Sequence, residues 1–391
     1  MYTKSTEAEV LEMSELAKGA LDGIKVLELA TFIAGPYCAM MLADQGADVI
    51  KIERPGVGDE NRTEPPFING ESAPFMLWNR NKRSVVLDLK SKQGKAQFLK
   101  LVEGADVVVE NFRPGAMERL GLGYDALKER NPGLVYASIS GYGRTGEMSQ
   151  RGGFDLVLQG FTGLMALTGP ADHVPHRLPI PVCDIAAGLY LTVGVLTALQ
   201  ARTRLGRGQR VETSLLEAGL SLQLYEAAAV FSDGTAPKKL GQKHRGVAPY
   251  QVFCTQTDHI TVGVAQQNFW NHFCEIAGLS GLVGDPRFAS NAKRVANIDE
   301  LVPLIEEALA KHPSTYWLER LDKAGIPSGV IQTTDVALSH PAALERRMVL
   351  DVEHPIAGHT KTLGMAFKLS DSVADIRRPA PLLGQHNEEL L

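Results

Sequence analysis

Residues 23–54 read GIKVLELATFIAGPYCAMMLADQGADVIKIER. The opening GIKVLELA (23–30) is apolar and reads as a short strand. TFIAGP then leads into a helix over about 36–46, and GADVIKIE (46–53) reads as a second strand. The same alternation continues outward. RSVVLDL (83–89) is a third strand, and KQGKAQFLKLVEGA (92–105) has helical spacing. DVVVENF (106–112) is a fourth strand, and a helical stretch separates it from a fifth, LVYASISGYG (134–143). Strands alternating with helices predict an α/β fold with a parallel sheet covered on both faces. In such a sheet the ligand belongs at the carboxyl ends of the strands.

Beyond this half the pattern persists and then changes. Asp184 in PVCD precedes the apolar run IAAGLYLTVGVLTALQA, a long helix candidate. TRLGRGQRVETSL (203–215) is a Gly/Arg turn entering a strand, followed by one helix over about 213–232. KKLGQKHRGVAPYQVFCTQTDHITVGV (238–264) reads as a basic loop and a hairpin, with helices to about 323. IPSGVIQTTDVALSHP (326–341) looks like the way back, GHTKTLGMAFKLSD suggests strands again, and the tail is rich in Pro and Gly. The expected division is a large domain over 19–210, a linker helix over 211–235, a small α+β domain over 236–325, and a return over 326–391.

Composition narrows the function classes. The chain has 391 residues, 44% hydrophobic and 22% charged, as in ordinary globular proteins. A net charge of −5 argues against nucleic acid as the partner. Cys38, Cys183, Cys254 and Cys274 have no metal-like spacing and are expected as buried, reduced thiols. The run after Asp184 comes nearest to a membrane span. It carries Gly188 and Gly194 and is followed closely by Arg202 and Arg204, so a buried core helix is expected. The first eighteen residues are polar, mildly helical in look, and lack the apolar core of an export signal, so a cytoplasmic protein is expected.

The turn after the first strand holds one glycine, followed at once by Pro36. A dinucleotide pyrophosphate needs several glycines for close backbone approach, so the fold expectation stands without that cofactor. Cations cluster instead. Lys51 and Arg54 flank Glu53, Arg80, Lys82 and Arg83 sit in WNRNKRS, and Arg113 and Arg119 follow the fourth strand. Their recurrence suits a polyphosphate. His244 and Arg245 in KHRG are either solvated loop residues or ligands for an anionic group. The ten histidines show no metal-ligand spacing, so no metal is expected. Asp184 stands where an N-cap residue belongs, and it serves either as a plain cap or as a nucleophilic carboxylate.

Several segments together carry a family likeness: GIKVLELATFIAGP, GADVIKIERPGVGD, NRNKRSVVLDLK, VVVENFRPGAMERLGLGY, YASISGYGRTG, PVCDIAAG and RPAPLLGQH. The chain resembles the class III CoA-transferases, a family that also holds carnitine CoA-transferase and the α-methylacyl-CoA racemases. The resemblance implies a Rossmann-like large domain, an inserted smaller α+β domain and an interlaced homodimer. It implies that Asp184 is the nucleophile, passing through an acyl anhydride and an aspartyl-CoA thioester. It carries coenzyme A contacts onto Ile33, Ala34, Arg54, Asn79, Arg80, Asn81, Lys82, Asn111, Phe112, Arg113 and Arg119. Coenzyme A then enters as substrate, with no tightly bound cofactor.

Two departures sharpen the expectation. The racemases carry a His-Asp pair where this chain reads Phe154-Asp155, and phenylalanine takes no proton. The glycine run of the formyl-CoA:oxalate enzymes is replaced by KHRGVAPY. The whole looks most like the succinyl-CoA:dicarboxylate members, such as the glutarate CoA-transferases, with His244 or Arg245 pairing the distal carboxylate of the acid. An acyl-CoA racemase, or a CoA-binding protein without turnover, is the alternative.

Overall fold

A computed structural model describes residues 19–391. The helical leaning of residues 1–18 lies outside the described residues. Six parallel strands form the main sheet: β1 (Lys25–Glu28), β2 (Asp48–Glu53), β3 (Lys82–Val86), β4 (Val107–Glu110), β5 (Val135–Ser140) and β6 (Arg210–Ser214). Their spatial order is β3-β2-β1-β4-β5-β6. The chain order reverses between β1 and β4, and in an open α/β sheet that reversal opens a crevice at the strands' carboxyl ends.

Strands β1 to β5 are buried on both faces, while the edge strand β6 exposes Arg210 and Glu212, and residue parity decides which helices each side chain meets. Val26, Val49, Val107 and Ala137 pack with α1 (Ala34–Asp44) and with the long α6 (Val182–Leu205). Leu27, Ile50, Val85 and Val108 pack on the opposite face, where α3 (Lys92–Glu103) contributes Phe98 and Val102 and α4 (Tyr124–Arg130) contributes Leu127. The short α2 (Ala73–Asn79) precedes β3, and α5 (Asp155–Phe161) lies between β5 and α6.

β6 is followed by two helices, α7 (Leu215–Ser221) and α8 (Leu224–Asp233), where one helix over 213–232 was expected. The Ser214 hydroxyl accepts from the Glu217 N–H and starts α7. The expected end of the large domain's first part at 210 falls on the first residue of β6, the last strand of the main sheet.

α6 departs from the expectation of a fully buried helix. It is apolar and long enough to cross a membrane, but about half of it is buried in the fold. Its other face exposes Leu189, Tyr190 and Val193. It ends at Gly206, whose φ of 65° is a left-handed cap.

The chain divides into two compact units. The first comprises residues through Leu164, Arg177–Ala228 and Pro341–Leu391, and the second Met165–His176 and Ala229–His340. The second holds an antiparallel hairpin, β7 (Tyr250–Cys254) and β8 (His259–Gly263), and helices that include α9 (Gln267–Ile276), α10 (Ile298–Leu309) and α11 (Ser314–Lys323). Its core is built on Phe253, Ile260, Trp270, Phe273, Leu301 and Trp317. The unit outruns the expected boundary at 325 because β9 (Ser328–Val330) pairs with Ile260–Val262 as a third strand. The first unit closes with the hairpin β10 (Val349–His354) and β11 (Gly358–Leu363). No disulfide forms; Cys38, Cys183 and Cys274 are buried, but Cys254, expected inside, is exposed beside His259 with its sulfur 3.2 Å from Nε2.

Candidate active site

Asp184 is the third residue of α6, not its cap. The N-cap position falls on Pro181, which offers no side-chain hydrogen bond. The capping oxygen comes from elsewhere in the chain. Asp155, at the start of α5, accepts the Cys183 N–H on Oδ1 at 2.8 Å. Its Oδ2 accepts from Gln159 Nε2 at 2.6 Å. The same Gln159 amide accepts the Leu178 N–H at 2.9 Å and donates toward the Leu178 and Ile180 carbonyls. One turn of α5 therefore fixes both the approach to α6 and its first turn, and with them the place of Asp184. In the sequence Asp155 stood out only as the neighbour of Phe154, and Gln159 not at all. The Asp-x-x-x-Gln spacing was the available signal, since i and i+4 share a helix face.

Asp184 lines a cavity of about 350 Å³ at the β1/β4 crevice. Ile33 and Ala34, opening α1, line one wall, and Asn111, Phe112 and Arg113 line another. Arg151 and Phe154 complete it. The Arg113 guanidinium lies where a side chain on Gly152 would begin, 3.2 Å from that point. Gly141 and Gly153 pass backbone to backbone so closely that a Cβ on Gly141 would stand 2.9 Å from the Gly153 Cα. That close pass brings the loop carrying Phe154 up to the end of β5.

Burial, and next the charge of Asp155, push the Asp184 carboxyl up to about 7. The helix N-terminus does not keep this carboxyl in the ordinary aspartate range. Desolvation outweighs the helix dipole here, and the dipole is already answered by Asp155. Cys183, beside it, is pushed up to about 12 by burial and by the same two carboxylates, so its thiol stays protonated and is a poor nucleophile.

A second cavity of about 340 Å³ adjoins the first and shares Thr31 and Phe112 with it. Arg54 lines it, paired to Glu60 at 2.9 Å, together with Leu87, Leu89, Lys90 and Leu120. Lys90, beyond the carboxyl end of β3, is a binding candidate that the sequence reading passed over. Arg119 sits exposed on the short turn Ala116–Arg119 and lines neither cavity.

Asn79, Arg80, Asn81, Lys82 and Arg83 do not join this cleft; their side chains are buried and bonded inside the protein, Arg83 to Asp48 and Glu389. Arg80 holds Asp44 through Nε at 3.1 Å and Nη2 at 2.7 Å. Asn81 donates to Asp44 and accepts the backbone N–H groups of Arg377 and Arg378. Lys82 meets Glu28 at 2.7 Å and the Asn79 amide oxygen at 2.8 Å. These residues lead into the amino end of β3, opposite to the end where a parallel sheet binds its ligand. His244 and Arg245 lie in the second unit, where the His244 ring meets Tyr250 edge-on at 5.1 Å. Among the described residues, no three or more His, Cys, Asp and Glu side chains gather as a metal site.

Residues 21–387 match CoA-transferase family III. The chain is 35% identical over 372 residues to the succinyl-CoA:glutarate CoA-transferase of Homo sapiens, covering 95% of this chain and 85% of that protein. It is 37% identical over 375 residues to the acetyl-CoA:oxalate CoA-transferase of Acetobacter aceti, covering 95% of each. Among solved structures, a CAIB/BAIF family protein from Brucella suis superposes with a TM-score of 0.85 at 34% identity, covering 95% of this chain and 98% of that one.

Proposed function

This protein belongs to CoA-transferase family III, and from that premise we propose that Asp184 carries its chemistry and that the adjoining cavities hold the CoA thioester. It is an enzyme that moves coenzyme A from a thioester to a carboxylic acid. The observation that carries the proposal is the position of Asp184 in the cavity at the β1/β4 crevice.

The Asp184 carboxylate attacks the donor's thioester carbonyl and expels the CoA thiolate, leaving an acyl-aspartyl anhydride. The thiolate attacks the aspartyl carbonyl of that anhydride, releasing the donor acid and leaving an aspartyl-CoA thioester. The acceptor carboxylate then attacks that thioester and expels the thiolate again. The thiolate takes the acceptor's acyl group and frees Asp184. Each step exchanges one anion for another, so no general base is needed at the position of Phe154. A racemase, by contrast, has to move a proton there.

The second cavity suits the nucleotide end of coenzyme A. Leu87, Leu89, Phe112 and Leu120 offer an apolar wall, and Arg54 and Lys90 offer charge for phosphate. Thr31 and Phe112 line the way from there to Asp184. A small dicarboxylate acceptor, with succinyl-CoA as donor, fits the names of several relatives. A homodimer fits the apolar face of α6 together with exposed Leu220, Leu224 and Tyr225 on α7 and α8.

Mass spectrometry of CoA products tests this directly. Succinyl-CoA is offered with glutarate, other dicarboxylates, oxalate and carnitine, to wild type and to Asp184→Ala. New thioesters are expected from wild type only, with the variant reduced at least ~10³-fold, the order lost when a covalent nucleophile is removed. Equal products from both would remove Asp184 from the mechanism.

A further inference from the structure

The turn from β1 into α1 is held almost entirely by side chains from other segments. Lys51 Nζ donates to the Ala30 carbonyl at 2.9 Å. The Asn111 amide takes both polar groups of Thr31, accepting its N–H at 3.0 Å and donating to its carbonyl at 2.7 Å. Asp59 Oδ1 accepts the Phe32 N–H at 3.3 Å, and Asn61 Nδ2 donates to the Phe32 carbonyl at 2.7 Å. Five consecutive backbone polar groups, from the Ala30 carbonyl to the Phe32 carbonyl, are thus answered by four side chains.

The turn needs this support. Phe32 has φ of 63°, a left-handed conformation that is costly for a bulky residue. Such a conformation persists only where its surroundings over-determine it. Those surroundings are rigid in their own right. Lys51 lies between Glu28 and Asp59 at 2.8 Å from each, and Glu28 also pairs with Lys82 at 2.7 Å. Asp59 Oδ1 accepts the Asn61 N–H at 3.0 Å, and the Asp59 N–H donates to Glu53. All of these charged side chains are buried.

We propose that Asn61, anchored through Asp59 to the Glu28–Lys51–Lys82 cluster, is a positioning residue for the transfer reaction: it holds the Thr31–Ala34 turn against the cavity of Asp184. This rests on Asp184 being the reacting group. Asn61 lines neither cavity and acts through the Phe32 backbone alone. Thr31, Phe32, Ile33 and Ala34 all line the Asp184 cavity, so a shift of the turn moves the wall against which the thioester lies.

The test compares Asn61→Ala, Asn61→Asp and Arg83→Gln, with succinyl-CoA and glutarate as substrates. Asn61→Asp keeps the size and the backbone N–H to Asp59 but sets a carboxylate against the Phe32 carbonyl. Arg83→Gln removes ion pairs to Asp48 and Glu389 that lie outside both cavities, and it serves as the control for plain destabilisation. Both Asn61 variants are expected to lose about 10- to 100-fold in kcat, as misplacement of a reacting group by about 1 Å does, with KM for succinyl-CoA within about threefold of wild type. Arg83→Gln is expected to lose Tm with kcat within about twofold, as a substitution remote from the chemistry does. If the Asn61 variants lower only Tm, or follow Arg83→Gln in kcat, the positioning role is wrong. A wild type that forms no new thioester overturns instead the reading on which it rests.

Discussion

Asp184 and Asp155 form a pair in which one carboxylate does structural work and raises the pKa of the other. Asp155 answers the N–H of Cys183, and its charge adds to burial in lifting Asp184 to about 7. The Asp184 carboxyl has a folded value above its ordinary 3.8, so the folded state binds more protons between about pH 4 and pH 7. Stability therefore falls as pH rises through that window, and the penalty is complete above it. Asp184→Asn removes the penalty. Its Tm advantage over wild type is expected to grow from pH 4 to about pH 7.5 and then stay constant; thermal melts across that range check it. In the proposed mechanism the attacking species is the carboxylate, so wild-type kcat/KM should rise with pH to a plateau above about 7. Asp155→Asn keeps an acceptor for the Cys183 N–H but loses the charge, and the acid limb should move to lower pH. An unmoved limb would mean that burial alone sets the Asp184 pKa.

At the scale of elements, the two ends of β3 have different work. Its amino end is locked by Arg80 on Asp44 and Asn81 on the Arg377–Arg378 backbone, while its carboxyl end delivers Leu87 and Lys90 to the second cavity. Arg80→Met should cost about 3–5 kcal/mol, the usual result of leaving a buried charge without its partner. It should leave KM for succinyl-CoA unchanged. Lys90→Ala should do the reverse, raising that KM about 3- to 10-fold, as loss of one charge-assisted phosphate contact does, with Tm nearly unchanged. Chemical denaturation and steady-state kinetics separate the two. Charge clustering in WNRNKRS gave no hint of this division. A sequence shows that cations are near a strand, but the direction of the strand in the sheet decides whether they meet a ligand or the protein's own carboxylates.

At the scale of the whole molecule, α6 exposes the apolar side chains of Leu189, Tyr190, Val193 and Leu196 on one face. Val193, 61% exposed in the middle of it, is the position to probe. Val193→Arg is expected to leave the fold intact by circular dichroism and to convert a dimer to a monomer by light scattering. A wild type that is already monomeric would remove the dimer reading. The alternation of strand and helix over residues 23–143, with its apolar runs, determined by itself the parallel sheet. The motif segments determined the family, and PVCD drew attention to Asp184, because these signals are local and survive in one dimension. The tertiary structure alone decided the rest. It moved the helix cap from Asp184 to Asp155, buried Asn79–Lys82, brought Lys90 into the cleft, and extended the second unit to take in β9. Each of these depends on desolvation or on partners distant along the chain. The energy of a charge is set by what surrounds it in space, and the order of residues does not state that.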